Sequence, residues 1–129
     1  MSVFTKIING EIPAFIVKED ADFIAFLDIA PLVMGHVLVV PKKEVNKLFD
    51  MPPELLSSIL LFAKPIAEAI EKSFECSRCG ISVIGLEVPH AHVHLVPINS
   101  ADDINFTRKK LEVSKESLEE ARRLIVKNL

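Results

Sequence analysis

The 129-residue chain is predicted to fold as α+β: a mostly antiparallel β-sheet with two main helices packed on it. Three observations predict this. Short apolar runs follow one another through turns too short for the long crossover that parallel neighbours need. One long central segment and one C-terminal segment carry apolar residues at helical spacing. Half the residues are apolar and the mean hydropathy is +0.35, so residues 1–129 can fill one core but have no length for a second.

Taken in order, "VFTKIINGEIP" begins with a short amphipathic turn, and Asn9-Gly10 then supplies a turn signal. "FIVKED" and "DFIAFLDI" flank a charged turn at Glu19-Asp20 and read as an antiparallel hairpin. "PLVMGHVLVVPKK" gives a turn and then a buried strand from His36 to Val40, ended by Pro41, which has no N–H for a ladder. The longest periodic segment runs from near Pro53 to about Phe74. Leu55, Leu56, Ile59, Leu60, Ala63, Ile66, Ala67 and Ile70 fall on one of its faces, and Pro65 should kink it or mark a short break. "GISVIGLEV" and "HAHVHLVPI" read as two strands joined near Gly85. Ser114 can cap a helix running to about Lys127 (residues 114–127), with Leu118, Ala121, Leu124 and Ile125 inward. No internal repeat, low-complexity tract or linker interrupts the chain.

Composition excludes several functions. Fifteen basic against 18 acidic residues give a net charge of −3, without the net basic face that nucleic acid requires; Lys42-Lys43 and Arg108-Lys109-Lys110 read as solvated surface charge. No segment approaches the roughly 20 apolar residues of a membrane helix, and "MSVFTKIINGEIP" has no basic stretch leading into an apolar one, so a cytoplasmic protein is expected. Without Trp or Tyr, phenolic acid–base chemistry is absent. Cys76 and Cys79 form a single C-x-x-C that follows a helix instead of opening one and has no second pair to complete a structural zinc site, so two reduced cysteines in a turn are expected.

The chemistry concentrates in "PHAHVHLVP". Three of the four histidines, His90, His92 and His94, occupy every second position, and the fourth, His36, lies upstream in "MGHVLVVPKK". On a strand the three share one face while Ala91, Val93 and Leu95 point into the core. Their Cα atoms would be about 6.5–7 Å apart, close enough for two or three rings to converge on one ligand. Two chemistries fit. His-x-His with a third histidine, His94 or His36, is a zinc geometry, although such imidazoles usually lean on carboxylates and the only acid nearby in sequence is Glu87. Alternatively, an imidazole with a free nitrogen is a good nucleophile toward phosphorus near neutral pH. A second ring would then donate to phosphate oxygens and a third would orient the nucleophile.

The flanking sequence resembles the histidine triad family. "HAHVHLV" looks like its His-x-His-x-His motif, "FLDIAPLVMGHVLVVPKK" resembles its upstream strand–turn–strand block, and "VFTKIINGEIPAFIVKEDADFIAFLDI" resembles its N-terminal segment. The match covers about residues 3–98. It implies a homodimeric hydrolase or transferase that cleaves a nucleoside monophosphate from phosphoramidates, dinucleoside polyphosphates or acyl-nucleotides. By position, the resemblance makes His92 the nucleophile, puts His94 on the phosphate, and has His90 and His36 orient and tune His92. It assigns Phe4, Ile7, Phe26, Ile29, Leu38 and Val88 to the nucleotide pocket and Asp28 to the ribose hydroxyls. No cofactor is expected. A nucleotide-binding module with negligible turnover and a histidine-ligated zinc hydrolase are the alternatives.

Three departures from the family pattern matter. Many members place an Asn, several glycines and a Gly-Gln-Ser/Thr-Val run with polar contacts to the phosphate just before the triad; here Leu86, Glu87 and Val88 stand where its Gln, Ser/Thr and Val usually fall, which leaves the substrate open. The cysteines that bind zinc near the N-terminus in some members are replaced by "SVFT", so no structural metal is expected. "INSADDINFTRKKLEV", after the triad, carries no assignable motif.

Overall fold

Ser2 opens the first helix, α1 (Val3–Ile8), by accepting the Thr5 N–H on its Oγ at 3.1 Å. In this computed structural model, which describes residues 1–129, the amphipathic N-terminal turn is thus a six-residue helix that buries Phe4. Gly10, at φ +77°, lets the chain reverse after it. The expected hairpin follows as β1 (Ile16–Glu19) and β2 (Phe23–Leu27). Asp20 closes its turn, with Oδ1 accepting the N–H groups of Asp22 and Phe23, each at 2.8 Å.

The third strand, β3 (Val37–Pro41), starts one residue after His36 and includes Pro41. Pro41 pairs with Phe23 at the end of the ladder, where a missing N–H costs nothing. Helix α2 (Pro53–Ser73) has Pro53 in its first turn and continues through Pro65, so of the expected kink or short break the break does not occur. The Leu61 carbonyl would have received the absent Pro65 N–H; Leu61 is exposed, so water can take that bond. Ile59, Phe62, Ala63, Ile66, Ala69 and Ile70 are buried. Leu60, expected inward, is 57% exposed, because the buried stripe passes through Phe62 and leaves positions 60 and 61 on the outside.

Strand β4 (Arg78–Ser82) is shorter than expected and includes Cys79, so only Cys76 lies in the connecting turn; both thiols are free. Strand β5 (Val93–Ile98) is also shorter than expected. It begins after His92, so His90 and His92 lie on the irregular approach to the strand and only His94 within it. The cause is local. The His90 N–H is used by the Val88 carbonyl at 2.8 Å and the Ala91 N–H by the Val45 carbonyl at 2.7 Å, so neither joins a ladder. Helix α3 (Lys115–Lys127) begins at Ser114, whose Oγ accepts the Ser117 N–H at 3.1 Å. Leu118, Ala121 and Ile125 are buried as expected, whereas Leu124 is on the rim at 37% exposed.

The five strands form one antiparallel sheet in the order β1-β2-β3-β5-β4. Alternation divides its residues between two faces. Phe23, Ala25, Leu27, Val37, Val39, Val93 and Leu95 face α2 and α3, forming the main core with Ile66, Ile70 and Ile125. Ile24, Phe26, Leu38 and Val40 face the other way, under Phe4 of α1. Gly35 sits between Asp28 and β3 at φ +95°, and a Cβ there would come within 2.7 Å of the Phe74 ring. Only glycine fits, and it sets His36 at the mouth of β3. No helix is long and apolar enough to cross a membrane.

Candidate active site

All four histidines are buried on the α1 side of the sheet or at its edge, and their hydrogen-bond partners assign each tautomer. The Leu32 N–H donates to His36 Nδ1 at 3.1 Å. A neutral His36 must therefore carry its proton on Nε2, which donates to His94 Nδ1 at 2.9 Å. His94 in turn holds its own proton on Nε2. On the other branch, His92 Nδ1–H donates to the His90 carbonyl at 2.7 Å, leaving the Nε2 lone pair free. His90 Nε2–H donates to the Pro41 carbonyl at 2.8 Å, and its Nδ1 accepts from Ser2 Oγ at 2.6 Å.

No buried side-chain nitrogen or oxygen lacks a partner, so the two free nitrogens, Nε2 of His92 and Nε2 of His94, open onto the cavity these residues line. One offers a lone pair and the other a proton, and the two ring centroids are 4.8 Å apart. Burial holds the His92 imidazole below its ordinary pKa, partly offset by the His90 carbonyl. Burial, reinforced by the Lys110 ammonium and by the cost of a second charge beside a neighbouring imidazole, pushes His36 down to about 4 and His94 down to about 3. All three rings are thus neutral near pH 7, which the relay requires.

The cavity has a volume of about 540 Å³, in the range of small-molecule sites. Of the residues the sequence singled out, Phe4, Asp28, Leu38, Val88, His92 and His94 line it. Ile7 and Phe26 pack behind that wall, against Phe4 and Leu38. His36 and His90 stand behind His94 and His92. Ile29 is 67% exposed and is not among the residues that line the cavity. Asp28 Oδ1 is occupied by the Ala30 N–H at 2.9 Å, and Oδ2 lies 3.8 Å from His36 Nε2. Burial raises the Asp28 carboxyl above its usual range, against the lowering effects of that N–H and of Lys110.

Sequence reasoning missed the outer wall. Phe106, Thr107 and Lys110 come from the segment without a motif, which folds back over the triad and is pinned by the Leu111 N–H on the Pro31 carbonyl at 2.9 Å. The Phe106 ring packs edge-on to His94 with centroids 4.5 Å apart. An aromatic residue followed closely by a cation was the only signal available. Glu87, flagged as a departure, also lines the cavity, beside Ile84, Gly85 and Leu86. A separate cavity of about 470 Å³, between α3 and residues 111–114, contains none of the histidines.

The donor set does not suit a metal at the triad. Asp28, His36 and His94 offer ligand atoms within 4.8 Å of one another. However, the Leu32 N–H occupies His36 Nδ1, so Nε2 bears the proton, and metal binding there would need an imidazolate or a broken backbone bond. Near the N-terminus, Ser2 and Thr5 offer only hydroxyls, which are poor zinc ligands.

Comparison with known proteins agrees with this geometry. Residues 9–101 match the family model described as HIT domain. An uncharacterized HIT-like protein of Methanocaldococcus jannaschii is 41% identical over 106 residues, covering 79% of this chain and 82% of its own. The adenosine 5'-monophosphoramidase of Saccharomyces cerevisiae is 38% identical over 96 residues, covering 74% of this chain and 61% of its own. The crystal structure of a Hit-like protein of Bartonella henselae superimposes with a TM-score of 0.87 at 32% identity, covering 99% of this chain and 96% of that one. Triad, sheet order and relatives point the same way: the chain belongs to the HIT, or histidine triad, family.

Proposed function

We propose that the protein is a nucleotide hydrolase or transferase that cleaves a nucleoside monophosphate from a phosphoramidate, dinucleoside polyphosphate or related conjugate through a nucleotidyl-His92 intermediate. The observation that carries this reading is the His92 tautomer: Nδ1–H is committed to the His90 carbonyl and the Nε2 lone pair is free at the cavity. Attack by Nε2 on phosphorus forms a P–N bond as the leaving group departs with its bonding pair and takes a proton from water. The ring becomes cationic in this step, and the His90 carbonyl stabilises it. His94 Nε2–H, oriented through His36, donates to a non-bridging oxygen and offsets charge developing there. Water then breaks the P–N bond, releasing the nucleotide and a neutral His92. Asp28 is suited to accept from the ribose hydroxyls, and Phe4, Leu38 and Val88 to hold the base. The yeast relative's name, adenosine 5'-monophosphoramidase, supports the substrate class.

The expected result is AMP release from adenosine 5'-phosphoramidate by the wild type and none by His92→Ala. Turnover surviving that substitution removes the mechanism. A second reading, a nucleotide-binding module with negligible turnover, draws on Glu87, a carboxylate on the cavity wall where the family places polar phosphate contacts. Tight AMP binding by calorimetry without turnover would favour it, and a gain of turnover in Glu87→Gln would identify the carboxylate as the cause. Homodimerisation belongs to the same proposal. It is supported by the outer edge of the sheet at β4, with Ile81, Val83, Ile84 and Leu86 exposed on and after that strand.

A further inference from the structure

Behind the triad lies a polar cluster that the mechanism above does not use. Glu44 Oε1 accepts the Ser2 N–H at 2.7 Å and the Thr5 hydroxyl. Ser2 Oγ accepts the Thr5 N–H and lies 2.6 Å from His90 Nδ1. His90 is fully buried, lines no part of the cavity, and has its Nδ1 4.0 Å from Glu44 Oε1. Since His90 Nε2 must carry the ring proton to reach the Pro41 carbonyl, Ser2 is the donor in the Ser2–His90 bond. One continuous chain therefore runs from Glu44 through Ser2 to the His90 ring, and from the His90 carbonyl to His92.

We propose that Ser2, anchored by Glu44 and Thr5, is a positioning residue that fixes the tautomer and place of His90, so that the His90 carbonyl holds His92 with Nε2 free. This rests on the reading of His92 as the nucleophile. Three features support it. A six-residue helix does not hold itself together, yet α1 carries Phe4, whose ring centroid lies 5.0 Å from His92 and 5.7 Å from His90. The Glu44 bonds are what tie that helix to the chain after β3. Next, the Ser2 and Thr5 donors hold the Glu44 carboxyl down at about 2, so Glu44 stays anionic. An anionic carboxylate only accepts, so it takes the Ser2 N–H and the Thr5 hydroxyl and leaves the Ser2 hydroxyl proton for His90 Nδ1. Finally, the Ser2 hydroxyl is the side-chain partner of the His90 ring, whose other nitrogen is held by the Pro41 backbone carbonyl.

The test combines histidine 15N NMR on the full chain, without substrate, with steady-state kinetics on adenosine 5'-phosphoramidate. The wild type should show His90 as the Nε2–H tautomer and His92 as the Nδ1–H tautomer. Ser2→Ala should convert His92 to a tautomer mixture and lower kcat about tenfold with a smaller change in KM. Ser2→Thr should restore both. A Ser2→Ala protein with an unchanged His92 tautomer and wild-type kcat would overturn the proposal. If Ser2→Ala fails to fold, Ser2→Cys keeps the volume with a weaker donor; it should give an intermediate mixture, and an unchanged tautomer there overturns the proposal equally. Because the spectra need no turnover, a wild type inactive on every nucleotide would defeat the hydrolase reading while the NMR still decides the role of Ser2.

Discussion

The two faces of the sheet are built from the same strands and do opposite work. Toward α2 and α3, a 19-residue buried cluster is held by apolar contact, and any similar packing of those volumes would serve. Toward α1, five buried apolar residues are joined by histidines whose bonded nitrogens each have one partner and one proton placement, leaving only Nε2 of His92 and of His94 free. The first face tolerates substitution in proportion to lost volume. The second fails when a single donor or acceptor is removed, because the tautomers depend on one another. Stability and chemistry are thereby separated across one layer of backbone.

The sharpest way to break this division is to remove a group from each face. His92→Ala should reduce nucleotide release to background while leaving the melting temperature near wild type, measured by calorimetry on the same preparation. Ile66→Ala, on the opposite face and fully buried, should do the reverse. We expect a loss of about 2–5 kcal/mol in denaturant unfolding, with kcat/KM of the folded fraction preserved.

Acid should act through the histidine face. His36 and His94 are lowered, by burial first, to about 4 and about 3 from an ordinary value of 6.5. Between those values and 6.5 the unfolded chain binds more protons than the native one, so stability rises with pH in that window. It should be complete above pH 6.5 and lost progressively as the pH falls toward 4, as read by melting temperature against pH. The raised Asp28 opposes this trend only within and below its own titration range. A flat profile across the window would place the histidines in water and dissolve the contrast between the faces.

Smaller effects should map the cavity's outer wall. Lys110→Ala should raise KM for an anionic nucleotide about tenfold, the loss of one hydrogen bond to a charged group, with little change in melting temperature. Ile29→Ala, at an exposed position outside the lining, should change KM less than twofold, an effect of about the size of ordinary surface substitutions.

Most of this arrangement was legible in the sequence where its cause is local. The hairpin reads from its alternation and Asp20, the helices from Ser114, Pro53 and their apolar spacing, and the triad from three histidines in register with Asp28 and His36. What could not be read depends on partners distant in sequence. The start of β5 is set in part by Val45, whose carbonyl takes the Ala91 N–H from far upstream. His90 stands behind the cavity because Ser2 and Pro41, 88 and 49 positions away, hold its two nitrogens. Phe106 and Lys110 reach the site through a loop whose path is fixed by one backbone bond to Pro31, which no periodicity announces. Leu60 and Leu124 were misplaced because helical spacing defines a stripe, and a stripe's edge is decided by what packs beside it.

The most direct measurement is mass spectrometry of protein quenched during reaction with adenosine 5'-phosphoramidate, followed by peptide mapping at a pH that preserves P–N bonds. An adenylyl group on the peptide spanning 90–95, absent in His92→Ala, is the predicted result. Robust turnover with no adduct at any time point, or an adduct mapped to His94 or to a residue outside the triad, would contradict a nucleophilic His92.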